Sequence, residues 1–127
     1  MNTTQRGKWG EEQALTFLVK KGFIPVKRNF RSRFGEIDLI MKNDEFIIFV
    51  EVKVRKNANF AHAREFVSYR KQEKIRTTAN FWLSGKEYTS RFKTDINNEL
   101  QPRFDVIEIY AQDEYSVPQI NHIENAF

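Results

Sequence analysis

Between Gly35 and Lys53 the chain reads GEIDLIMKNDEFIIFVEVK, with acids falling at period two among branched apolar residues. Successive side chains of a strand alternate between faces, so Glu36 and Asp38 share one face of the first run. Phe49, Glu51, Lys53 and Arg55 share one face of the second. Strands covered on both sides normally read as unbroken apolar runs, so charges set among Val and Ile at this period need a purpose. Two carboxylates and a lysine on one sheet face would supply oxygen ligands for a cation and an ammonium beside it.

The tip of this hairpin is Asn43-Asp44. A two-residue turn there pairs Lys42 with Glu45, and hence Asp38 with Phe49 and Glu36 with Glu51. Directly opposite residues share a face, so Glu36, Asp38, Glu51 and Lys53 are expected on one side. Asp38 and Glu51 are then diagonal neighbours, about 7–8 Å apart at the backbone. Clustered carboxylates repel, and a cation is the economical way to keep Glu11, Asp38 and Glu51 ionised together. Oxygen-only ligation suits magnesium or manganese. Beside such an ion, Lys53 would steer an attacking water and stabilise a pentacovalent phosphate, or accept a proton in its neutral form. The plainer reading of Lys53 is a cross-strand salt bridge to Glu36 or Glu51, worth about 0.2–1 kcal/mol.

These groups need elements to position them. A helix capped by Thr3 or Thr4 is expected to run to Lys21, with Gly22 just past its end. Gly7 and Gly10 each cost such a helix about 1 kcal/mol relative to Ala, so its regular part is expected near Glu11. Glu11 and Glu12 would then lie in the first turn, where the helix dipole alone favours acids. Phe23–Phe30 reads as a strand kept near an edge by Pro25. Arg28, Arg31 and Arg33, with Asn29, precede the hairpin and either contact phosphates or neutralise Glu36 and Asp38. Ser68 opens a second helix through Leu83, with Ile75, Ala79, Trp82 and Leu83 as its apolar stripe. Arg70, Lys71, Lys74 and Arg76 surround that stripe, as either a solvated face or a polyanion contact. Asn57–Glu65, with His62 at the surface, reads as a loop, and Ser84–Pro102 as a turn-rich stretch with a loop at Asn97-Asn98. Arg103–Tyr110 is a strand whose Asp105 is an active acid, a solvent-facing one or a partner of arginine, and Ile120–Ile123 a short last strand.

Composition narrows the chemistry. The absence of cysteine in 127 residues excludes disulfides, thiol catalysis and cysteine-ligated zinc, and it fits a reducing cytoplasm. Two histidines, His62 and His122, make a histidine-rich zinc site improbable, leaving oxygen as the main ligand. No stretch approaches the roughly 20 apolar residues of a membrane-spanning helix. The formal charge of +4 and pI of about 9.4 favour polyanion binding mildly. The length suits one domain, residues 1–127.

An acid on a first helix, Asp on one hairpin arm and Glu-x-Lys on the other, then a basic helix and a strand, form an ordered set. With RGKWGEEQAL, NFRSRFGEIDLI, FVEVKVR, Lys71 in SYRKQEKI, RFDVIEI and HIENAF, nearly the whole chain resembles the PD-(D/E)xK nuclease superfamily. Within it the resemblance is to the uncharacterised bacterial YraN family, related to archaeal Holliday-junction resolvases. By position, Glu11 matches the helix-one acid, Asp38 the hairpin aspartate, and Glu51 and Lys53 the acid-x-lysine pair. Ile37 stands before Asp38 where the superfamily's name has proline, and Ala61 where the YraN family usually has glycine.

The resemblance implies an α/β, restriction-endonuclease-like fold, with a mixed central sheet flanked by helices in the core order αβββαβ. It implies magnesium- or manganese-dependent hydrolysis of a DNA phosphodiester, with Glu11, Asp38 and Glu51 on the metal and Lys53 assisting the water. Arg31, Arg33, Lys71 and Lys74 are the expected phosphate contacts, branched DNA the expected substrate and a homodimer a compatible assembly. The alternatives are a nucleic-acid-binding module with a vestigial acidic cluster, and an interaction protein that turns its basic helix to an acidic partner.

Overall fold

The computed structural model describes residues 1–56, 67–92 and 99–127. The expected loops at Asn57–Glu65, with Ala61 and His62, and at Asn97-Asn98 lie outside the described residues. The elements are α1 (Thr3–Lys20), β1 (Ile24–Ser32), β2 (Gly35–Lys42), β3 (Phe46–Arg55), α2 (Tyr69–Leu83), α3 (Lys86–Arg91), β4 (Gln101–Tyr110) and β5 (Gln119–Ile123). The strands form one mixed sheet in the order β1-β2-β3-β4-β5, with β3 and β4 parallel and the other pairs antiparallel. The expected αβββαβ order is present, with a short helix, α3, in the stretch expected to be turn-rich, and β5 after it. No helix among the described residues is long and apolar enough to cross a membrane.

The helices cover opposite faces. Ala14 and Leu18 of α1 pack on Leu39, Met41, Ile48, Val50, Ile107 and Ile109. Ile75, Ala79 and Trp82 of α2 pack on Ile37, Ile40, Ile47, Phe49 and Val106. The central run Ile47–Val50 is therefore buried on both faces, which explains its unbroken apolar character. Beyond Val50 the alternating Glu-Val-Lys-Val-Arg begins.

Several local details depart from expectation. The cap of α1 is Asn2, whose side chain accepts from Gln5 N while Gln5 bonds back to Asn2 N. This reciprocal box outweighs the glycine penalty and starts the helix at Thr3, so Glu11 and Glu12 lie well inside it. The dipole explanation for these acids is thereby removed. Gly10 is buried because α1 comes so close to β3 that a Cβ there would sit 2.2 Å from a Val54 methyl. The hairpin tip is not a two-residue turn. Asn43 Oδ1 accepts from Glu45 N and Phe46 N, and the Asn43 backbone N–H donates to Phe46 O, closing a longer connection. The ladder is consequently Lys42–Ile47, Met41–Ile48, Ile40–Phe49 and Leu39–Val50, two residues from the predicted register but with the same parity.

Candidate active site

The site lies where β2 and β3 part. Their ladder ends at Leu39–Val50, and one step further Asp38 Oδ2 takes the place of a backbone acceptor, receiving Val52 N at 2.8 Å. Side-chain alternation in β2 breaks here too. Ile37 and Ile40 belong to the α2-side core, whereas Leu39 and Met41 belong to the α1 side. On the neighbouring strand Asn29 adopts φ 51°, between the pairs Arg28–Leu39 and Phe30–Ile37. The irregular backbone at Asn29 and Asp38 opens the sheet so that groups from both faces meet.

From the α1 side comes Glu11, which accepts Asn29 Nδ2 at 3.1 Å. From β3 comes Glu51, only 7% exposed, on the α2 side of the sheet. Its Oε1 lies 2.6 Å from Lys71 Nζ and 3.5 Å from Lys53 Nζ. Two adjoining clefts expose this set. One, of about 350 Å³, is bordered by Glu11, Asp38, Glu51, Lys53, Lys71 and the first turns of α1. The other, of about 200 Å³, runs between Gly35, Glu36, Asp38, Glu51, Lys71 and Lys74. Gly35 lets β2 approach α2 there. Its φ of +152° and a Cβ position 3.0 Å from Thr78 Oγ1 both disfavour a side chain.

The electrostatics follow from this crowding. Burial, then the Glu51 charge, push the Asp38 carboxyl up to about 7; Glu11 adds to the rise, while the Val52 amide and Lys71 oppose it. Burial also lowers Lys53, aided by the Lys71 ammonium and opposed by Glu51. Lys71 is moved the other way, because hydrogen bonding and attraction to Glu51 outweigh its own desolvation. Of two lysines sharing one carboxylate, Lys71 keeps its proton and Lys53 gives its proton up more readily.

Among the described residues no three acidic or histidine side chains are gathered as an ion cage. Glu51 is turned to Lys71 and Glu11 to Asn29. The donor set nevertheless fits a hard cation: two crowded carboxylates, one driven toward its neutral form by burial and by its neighbour's charge, with an ammonium already where positive charge is favoured. Glu11, Asp38 and Glu51 are the residues that would hold it.

Of the two acids the arginines are expected to neutralise, Glu36 has one beside it and Asp38 does not. Arg31 lies 3.8 Å from Glu36 with both side chains exposed, Arg33 stacks over Phe34 at 4.9 Å, and Arg28 pairs with Glu12. The cation acting on Asp38 is Lys71. Helical spacing carried the signal for its inward position, because Lys71 precedes Ile75, Ala79 and Trp82 at i+4, i+8 and i+11. Asn29, a positive-φ residue inside a strand, had no comparable signal. Asp105 is fully buried and bound by Arg103 at 2.9 and 2.8 Å, His122 Nε2 at 2.8 Å and Asn125 N at 3.0 Å. It is arginine-paired and structural. Burial works against its charge, but the bonds from His122, Arg103 and Asn125 keep it below the usual carboxylate range.

Fold and site together define a mixed α/β protein with a five-stranded open sheet, helices on both faces and a cleft of carboxylates and lysines where two strands diverge. The chain belongs to the uncharacterised protein family UPF0102, whose sequence model matches residues 10–109. It is 40% identical to a UPF0102 protein of Clostridioides difficile (strain 630) and 39% identical to one of Caldicellulosiruptor bescii, each over 127 residues covering all of both chains. A UPF0102 protein of Syntrophomonas wolfei is 41% identical over 121 residues, 95% of this chain and 96% of that one.

Proposed function

We propose that this chain is a metal-dependent endonuclease of the PD-(D/E)xK type, with a restriction-endonuclease-like fold, that hydrolyses DNA phosphodiesters in a structure-selective manner. The observation that carries the reading is the pairing of Asp38 with Glu51, beside Lys53 and Lys71, at an opening between strands. A structural salt bridge needs one carboxylate and one ammonium. Here buried acids are crowded until one of them resists ionisation, an arrangement that costs stability and suits a cation and a phosphate.

Magnesium or manganese, when bound, would polarise a phosphoryl oxygen and activate water. The chain's own residues would do the rest. Glu11, Asp38 and Glu51 supply carboxylate oxygens, and the Val52 amide orients Asp38. Lys53, whose ammonium burial disfavours, hydrogen-bonds the attacking water or the charge developing on phosphate oxygen. Lys71, which stays charged, exchanges its bond to Glu51 for a phosphate. Lys74, Arg31 and Arg33 extend positive charge away from the cleft. A homodimer would set two such sites on a branched substrate.

The test compares wild type with Glu51→Ala on branched, single-stranded and duplex DNA with magnesium; cleavage by the first and none by the second is expected. A second reading, a nucleic-acid-binding module that does not cut, is favoured by the Lys71–Glu51 pair, which neutralises the cleft without a metal. Salt-sensitive DNA binding without magnesium binding by calorimetry would select it.

A further inference from the structure

Next to the acidic cleft lies a shallow groove of about 400 Å³, bordered by Phe34, Tyr69, Arg70, Glu73, Lys74 and Thr77. Lys74 borders both. Tyr69, the first residue of α2, is 74% exposed, so one side of its ring is open to a ligand. Phe34, at the β1–β2 turn, meets Phe81 edge-on at 5.4 Å and carries the Arg33 guanidinium on its ring. The groove's acid, Glu73, is bound to Arg76 at 2.9 Å. Among the described residues Arg33, Arg70 and Lys74 have no carboxylate partner. The groove thus combines aromatic faces with uncommitted positive charge.

We infer that this groove receives an unpaired nucleobase adjacent to the phosphate held in the acidic cleft, so that the substrate is DNA with unstacked bases at the site of attack. This rests on the nuclease reading for the position of the phosphate, but not for the binding of the base. In duplex DNA bases stack on one another, and two protein rings beside a backbone contact offer nothing to a paired base. An unpaired base gains a stacking surface on Tyr69 and Phe34, while Arg70 and Lys74 take the flanking phosphates. An apolar protein segment would fill the rings but not use the cations, so charge favours nucleic acid.

The test measures binding, with metal chelated, of a short duplex carrying a three-nucleotide bulge with 2-aminopurine at its centre, against the fully paired duplex. Wild type is expected to prefer the bulge and to quench 2-aminopurine. Tyr69→Ala should lose about fivefold to a hundredfold of bulge affinity, the range for one stacked base, and leave duplex affinity unchanged. Tyr69→Phe, which keeps the ring, should retain preference and quenching. Equal affinity for the two DNAs in wild type, or a preference that survives Tyr69→Ala combined with Phe34→Ala, would overturn the inference, as would capture of an apolar peptide by the groove with no bulge preference. Glu51→Ala separates this result from the nuclease reading. A bulge preference in wild type and Glu51→Ala without cleavage by either sinks the nuclease and leaves the groove; magnesium-dependent cutting without bulge preference does the reverse.

Discussion

Asp38 is the residue on which this site is most exposed to experiment. Its carboxyl is held near 7 in the fold against 3.8 ordinarily, a gap of about three pH units. Each unit corresponds to about 1.4 kcal/mol, so the ceiling on the linked free energy is about 4 kcal/mol. Partial contact with water and mutual repulsion with Glu51 spread the titration, leaving about 2 kcal/mol as the expected effect. The sign is fixed by the direction of the shift. The folded chain holds this proton more tightly than the unfolded chain, so the contribution is complete below about pH 4 and disappears as pH rises through about 7. Acid should therefore lose less stability than usual, and the neutral site should be the strained one. Urea denaturation with chelator between pH 4.5 and 8 would measure wild type against Asp38→Asn. The variant, which cannot ionise, should gain on wild type by about 2 kcal/mol across that interval. Parallel profiles for the two proteins would refute the argument that Asp38 is crowded into neutrality.

Lys53→Ala should keep the fold and magnesium affinity by calorimetry while losing about 10²–10³-fold in cleavage rate; a surface salt bridge would predict wild-type cutting and a stability change of about 0–1 kcal/mol. Lys71→Met removes the ammonium bound to Glu51, so magnesium affinity should rise about tenfold in the same titration while DNA binding weakens. Gly10→Ala should destabilise by about 1–3 kcal/mol in urea, since the new methyl must displace Val54 or lift α1 from β3. Affinity for branched DNA should fall steeply between about 50 and 200 mM salt, by roughly 10³–10⁵-fold if six to ten phosphates are contacted.

Period-two patterning made the strands legible because one-residue slips would turn every side chain over, and the parity of the ladder from Leu39–Val50 to Lys42–Ile47 survived for that reason. The register did not, because Asn43 uses its own side chain to close the turn, a choice that alternation does not encode. Glu11 is legible as one acid of a crowded set, but its position in mid-helix depends on the Asn2–Gln5 box and on Gly10, a weakness by helix propensity that serves as a point of contact. The inward direction of Lys71 follows from its helical spacing to Ile75, Ala79 and Trp82, while its partner Glu51, twenty residues away on β3, does not. The break at Asn29 and Asp38 was illegible, since strand periodicity describes regular backbone and the site depends on its failure. Alternation leaves Asp105 open as an active, solvent-facing or arginine-paired acid, and its partners Arg103 and His122, the latter remote in sequence, make it the last of these.

The parallel ladder between β3 and β4 fixes the order in which the site can assemble. Beyond Val50, β3 has left its hairpin partner, and Glu51 and Lys53 are aligned by Val106 and Glu108 of a strand some fifty residues further along. A chain emerging from the ribosome can close the β2–β3 hairpin early, because its contacts are local. The half of β3 that carries Glu51 and Lys53 must wait until residue 110 is free to pair. Folding therefore closes the hairpin before it aligns the cleft, and a nascent or truncated chain lacking β4 would carry every one of Glu11, Asp38, Glu51 and Lys53 without their arrangement.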